Sequence, residues 1–154
     1  MRTSESVELP ASASAVFAYV ARLDTYPAWL RLVHDVALVD DGPQPVWDVE
    51  LRARVGPFAR SKRLRMQRVD VETDRLAVFE RREVDGRQHA MWALRAELAP
   101  LAGATAASAE AATMLTMHLA YDGGLWTGGV LEKVLDDEIR RARTRLVSLL
   151  ATTP

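Results

Sequence analysis

Two periods of hydrophobic and polar residues run along this chain, and the change from one to the other divides it into regions. Ser6 to Pro10 alternates polar and apolar positions until Pro10 stops it, which predicts a short first strand ending at a turn. Val16, Phe17, Tyr19, Val20 and Leu23 then recur at helical spacing behind Ser12 or Ser14, either of which can cap a helix. Asp24-Thr25-Tyr26-Pro27 interrupts that stripe, and Pro27 predicts the start of a second short helix reaching about Leu32.

From Val33 the period falls to 2 and stays there as far as Tyr121. Trp47, Val49, Leu51, Ala53 and Val55 alternate with Asp48, Glu50, Arg52 and Arg54, predicting a strand with one buried face that turns at Gly56-Pro57. Leu64 and Met66 continue the pattern, but Val69 and Val71 sit in the opposite phase, which predicts a bulge or strand end near Arg68. Leu76 to Val84 predicts another strand, closed by Asp85-Gly86, a hairpin signal. Trp92, Leu94, Ala96 and Leu98 share the inner face of the next strand, and Leu115, Met117, Leu119 and Tyr121 that of the last. Pro100 to Ala112, rich in small residues, predicts a long mobile loop between them, and Asp122-Gly123-Gly124 ends the strands. Helical period returns from about Thr127 to Leu150, with Leu131, Val134, Leu135, Ile139, Ala142, Leu146 and Leu149 in one stripe. Asp136 with Arg140 and Asp137 with Arg141 form acid-before-base pairs along it.

Composition narrows the function classes. The chain has 154 residues, 49% hydrophobic and 27% charged, the size and make-up of one domain. Twenty Lys and Arg against 21 Asp and Glu leave a formal charge of -1, so no overall field draws it to nucleic acid or an anionic membrane. With no cysteine there are no disulfides, thiolate metal sites or cysteine nucleophile. No stretch approaches the ~20 apolar residues of a membrane span, and the N-terminus lacks a signal-peptide layout. The expectation is a cytoplasmic monomer or homodimer with no nucleic-acid partner, no integral membrane association, no metal and no cofactor.

A strand, two short helices, a run of antiparallel strands and one long C-terminal helix make an α+β layout, a curved sheet of about seven strands wrapped around that helix. The space between concave sheet and helix is then either packed core or an apolar cavity. Three segments carry a family resemblance: Val7-Glu-Leu-Pro-Ala-Ser-Ala-Ser-Ala-Val-Phe17, Tyr26-Pro-Ala-Trp29, and a closing strand ending in Tyr121-Asp-Gly-Gly. With the order of elements, they resemble the helix-grip fold of the SRPBCC superfamily. That superfamily includes START lipid-transfer domains, the birch-pollen allergens, coenzyme Q-binding proteins and the bacterial polyketide cyclase/dehydrase-like group. The resemblance runs from about Glu5 to Leu150, and its signatures are structural rather than catalytic. It implies one ligand-binding domain over residues 1–154, holding a small hydrophobic molecule such as a lipid, isoprenoid, aromatic metabolite or polyketide. Two alternatives stay open: an enzyme resembling polyketide cyclases, aromatases and dehydratases, and an interaction domain resembling the Hsp90-activator-related members.

The strand phases nominate the residues. Trp47, Val49, Leu51, Leu64, Met66, Trp92, Leu94, Met117 and Tyr121, with Leu135 and Ile139 of the last helix, are the candidate ligand-binding set; the same residues equally suit a filled core. Tyr26 and Trp29 are read as packing anchors. Glu80 and Tyr121 are the candidate acid-base groups, Glu80 because it shares the phase of Leu76 and Val78, while Arg81 shares that of Ala77 and Phe79. One charge of that strand therefore points inward and needs a partner. His34, His89 and His118 match no metal-binding spacing, and His118 falls on the outer face. Arg52, Arg54, Arg63 and Arg65 read as a solvated sheet face offset by neighbouring acids. Arg60 and Lys62 share the phase of Leu64, so one of them is expected to point into the mouth of a cavity and meet a ligand carboxylate or phosphate.

Overall fold

In the computed structural model, residues 2–55, 57–101, 111–122 and 130–152 are described. The chain runs β1 (Arg2–Leu9), α1 (Ala13–Val20), a 3₁₀ helix (Leu23–Ala28), β2 (Val33–Asp40), β3 (Val46–Val55), β4 (Phe58–Glu72), β5 (Leu76–Arg81), β6 (Trp92–Pro100), β7 (Thr113–Tyr121) and α2 (Val130–Thr152). The strands form one seven-stranded antiparallel sheet in the order β1-β7-β6-β5-β4-β3-β2. Every neighbour along the chain is a neighbour in the sheet except β1, which returns to pair with β7. The α+β, helix-grip layout expected from the sequence is the fold of the chain.

The inner face is set by alternation. Trp47, Val49, Leu51 and Ala53 of β3 face Leu64 and Met66 of β4, and all six are buried. Beyond Met66 the predicted break occurs: the β4–β5 register shifts between Arg68 and Asp70, after which Val71 pairs with the buried Ala77 while itself remaining exposed. The outer face carries the acids that offset the arginines. Glu50 lies 3.7 Å from Arg52 and 4.0 Å from Arg63, and Asp48 lies 3.1 Å from Arg65.

Four expectations change in the fold. The first strand begins at Arg2 instead of Ser6, so Thr3 and Glu5 join Val7 and Leu9 in one phase. The second short helix is a 3₁₀ turn over Leu23–Ala28 with Pro27 inside it. Side chains hold that turn: the Tyr26 hydroxyl donates to the Val20 carbonyl at 2.9 Å and the Trp29 indole N–H to the Tyr19 carbonyl at 3.0 Å. Strand β5 stops at Arg81, short of Val84, because the Glu83 carboxylate takes the backbone N–H of Arg65 and closes the ladder. On α2 neither expected i,i+4 pair forms among the described residues. Glu138 instead accepts from Arg145 and from the backbone N–H of Arg31, both at 2.8 Å, tying helix to loop.

Gly56, most of the Pro100 to Ala112 segment, Gly123 and Gly124 lie outside the described residues, as do the side chains of Leu131, Val134 and Leu135. No described helix is long and apolar enough to cross a membrane.

Candidate functional site

The concave face has two ends. At one end Tyr26, Trp47 and Phe79 pack edge to face, with ring centroids at 6.1 Å for Tyr26–Phe79 and 5.8 Å for Trp47–Phe79, and Tyr26 also meets Trp29 at 4.8 Å. Arg68 points into this end and donates to the carbonyl of Ala21, the C-cap of α1, at 2.9 Å, where the helix dipole favours a cation. Burial holds the Arg68 guanidinium below its ordinary range, with Arg22 adding repulsion. Complete burial pushes the Tyr26 phenol far above its ordinary range, so its hydroxyl stays a donor.

The other end is not filled. Between sheet and α2 lies a cavity of about 110 Å³. Of the candidate ligand-binding residues, Val49, Leu51, Leu64, Met66, Trp92, Leu94, Met117 and Ile139 all line it. Trp47 and Tyr121 do not appear on its wall. Trp47 belongs to the packed end, and Tyr121 lies behind Trp92, stacked on it at 4.9 Å. The side chain of Leu135 is outside the described residues.

Sequence reasoning missed part of the lining. Leu23, Trp29 and Leu32 reach the cavity from the 3₁₀ helix and the loop after it. Thr3, Glu5 and Arg143 bring in polar side chains. The signal for Thr3 and Glu5 was present in the Thr3, Glu5, Val7, Leu9 alternation, but two polar residues do not announce an inner face.

The charged candidates settle differently. Glu80 lies on the outer side of β5, 2.7 Å from Arg82, and takes no part in the cavity wall. The inward charge of that strand is Arg81, whose side chain is only 9% exposed. It donates to Glu83 at 2.9 Å, to the Ala90 carbonyl at 3.2 Å and to Nδ1 of His89 at 3.2 Å. Because a guanidinium only donates, Nδ1 of His89 accepts and Nε2 carries the proton toward Asp85, 2.8 Å away. Glu83, Asp85 and His89 place three metal-ligand atoms within 4.8 Å of one another, but the Arg81 cation already bonds two of those residues. Lys62 is half-buried on the inner phase of β4, and burial, then the nearby Arg81, pull its amine below the ordinary lysine range. Arg60 is exposed. His118 faces outward beside Ser4 and Glu97, and His34 lies against Glu50, so neither touches the cavity.

Solved structures with this fold include a protein from Thermus thermophilus (TM-score 0.71, 14% identity, 99% of this chain and 100% of that one). A START superfamily protein from Mycobacterium smegmatis matches at TM-score 0.69 and 16% identity over 97% of each chain. The Zhui aromatase/cyclase from a Streptomyces species matches at TM-score 0.63 and 14% identity, covering 98% of this chain and 93% of its own. At such identities the likeness speaks for the fold alone. No curated protein matches the chain. The family described as polyketide cyclase / dehydrase and lipid transport matches residues 1–151, and the chain belongs to that family.

Proposed function

We propose that this protein binds a small hydrophobic molecule between its sheet and α2. The observation that carries this reading is the cavity itself, walled from the sheet by Val49, Leu64, Met66, Trp92 and Met117 and from the helix by Ile139 and Leu146. Transfer of an apolar ligand into such a space is favoured by roughly 25 cal/mol per Å² of surface removed from water. The volume of about 110 Å³ is below the ~300–1,000 Å³ usual for drug-sized ligands. It suits a compact ring system or a short chain better than an extended poly-keto chain.

Native mass spectrometry of the purified protein, followed by organic extraction, tests the reading. A stoichiometric apolar adduct lost on denaturation is expected. A clean apo mass, together with no binding from a panel of fatty acids, quinones, aromatic polyketides and simple aromatics, overturns it and leaves a packed-core interaction domain in its place.

An enzyme of the cyclase or dehydratase kind needs at least two titratable groups converging on the cavity. Glu5 is the acid-base group among the described lining residues, which is the observation favouring this second reading; Arg143 stays protonated and supplies only charge. Its test is turnover of a poly-keto substrate mimic; loss of product formation in Glu5→Gln is the expected result, and absence of turnover in the unaltered protein rejects it.

A further inference from the structure

Thr3, Glu5 and Arg143 are among the residues around the cavity, yet its wall is apolar almost throughout. These side chains therefore meet the space with carbon atoms, as long charged residues do when their stems cover apolar surface and their heads stay in water. The main chain offers a ligand no more than the side chains do. Val49, Leu64, Met66, Leu94 and Met117 belong to β3, β4, β6 and β7, each flanked by a strand on both sides, so their backbone groups are spent in the sheet ladders. In the loop after the 3₁₀ helix, the carbonyls of Leu30 and Leu32 accept from the N–H groups of Val33 and Arg52 at 3.0 and 2.9 Å. The indole N–H of Trp29 is already given to the Tyr19 carbonyl.

We propose that the occupant of this cavity is a hydrocarbon about the size of one ring, aromatic or alicyclic, that carries no hydrogen-bonding group. This names the ligand class for the proposed function and rests on the cavity being a binding site. A hydroxyl or carboxylate brought against such a wall gives up its water and finds no partner, whereas a hydrocarbon gives up nothing. The volume of about 110 Å³ agrees in scale. Apolar cavities of about 150 Å³ take up benzene or xenon. Met66 and Met117, unbranched and adaptable, let the wall follow the outline of a ring or a small alkyl substituent. A ligand without a functional group also leaves an acid or base nothing to act on, so this proposal and the cyclase reading exclude one another.

Isothermal titration of the full chain with benzene, toluene, phenol and benzoate compares one ring bare and carrying a methyl, a hydroxyl or a carboxylate. Benzene and toluene are expected to bind, toluene a few-fold more tightly because one more carbon leaves water. Phenol is expected to bind about tenfold more weakly than toluene, the factor that an unpartnered buried hydroxyl costs, and benzoate not at all. Toluene binding is expected to disappear in Met117→Phe, which fills the cavity. Phenol or benzoate binding as tightly as toluene overturns the proposal while leaving the cavity a binding site. Toluene binding unchanged in Met117→Phe overturns it as well, since the ring then sits elsewhere. If benzene and toluene fail while a fatty acid or a quinone binds, the hydrocarbon class is wrong and the cavity reading stands. Binding of none of these compounds removes the cavity reading and this proposal with it. The series in the unaltered protein needs no variant to fold.

Discussion

The two ends of the concave face are built from the same alternation and come out differently. At the α1 end, Tyr26, Trp47 and Phe79 interlock edge to face, and hydrogen bonds from Tyr26 and Trp29 to the carbonyls of Val20 and Tyr19 lock the covering turn in place. At the α2 end, Leu94, Met117 and Ile139 face one another across open space. An inward phase thus says which side chains leave water, and the element laid over them decides whether they touch. Three interlocked rings under a short, bonded turn fill the volume, whereas a mostly aliphatic wall, with Trp29 and Trp92 set into it, leaves space beneath α2.

The sharpest way to break this comparison is truncation at each end. Phe79→Ala removes a fully buried ring and should cost about 3–5 kcal/mol in chemical denaturation, because the packed end cannot collapse around the gap. Met117→Ala enlarges a void that already exists and should cost about 2 kcal/mol or less; equal costs would erase the distinction. Tyr26→Phe leaves the Val20 carbonyl without its buried donor and should cost about 1–2 kcal/mol by the same measurement. A value near zero would mean that ring packing alone holds the turn.

Filling the open end sharpens the contrast from the other side. Met117→Phe should raise stability by up to about 1 kcal/mol and abolish any apolar adduct, whereas in a tightly packed core the added volume would cost about 1–3 kcal/mol. The smallest effect concerns Lys62. Folding lowers its pKa, so the unfolded chain holds the extra proton and stability should rise with pH as the ordinary lysine range near 10.5 is approached. Lys62→Met should flatten that alkaline rise in pH-dependent melting curves and slightly raise the melting temperature at neutral pH. An unchanged slope would place Lys62 in free solvent.

Much of the architecture is readable from the order of residues. Trp47 to Val55 alternates without interruption because one face is dry and the other wet, and the phase change at Val69 marks the register shift after Arg68. Strand β5 is harder. Leu76, Ala77 and Phe79 are all buried, so both phases carry apolar residues, and the inward charge could have been Glu80 or Arg81. The structure answers with Arg81, because its long side chain reaches Glu83, Ala90 and His89 while Glu80 needs only Arg82 on the surface. The site shows the same limit: eight of the eleven candidate wall residues line the cavity, one side chain lies outside the described residues, and Trp47 and Tyr121 lie elsewhere.

What the amino-acid sequence determined by itself is the inside and outside of the sheet, since period 2 follows from backbone geometry and needs no neighbour to be read. It also determined the family to which so regular an order of elements belongs. Only the tertiary structure decided where the interior is full and where it is empty, and that β1 and α2 both contribute to the wall of the cavity. Those facts depend on how β1 pairs with β7 and how α2 lies across them, contacts between residues more than a hundred positions apart that no local pattern records.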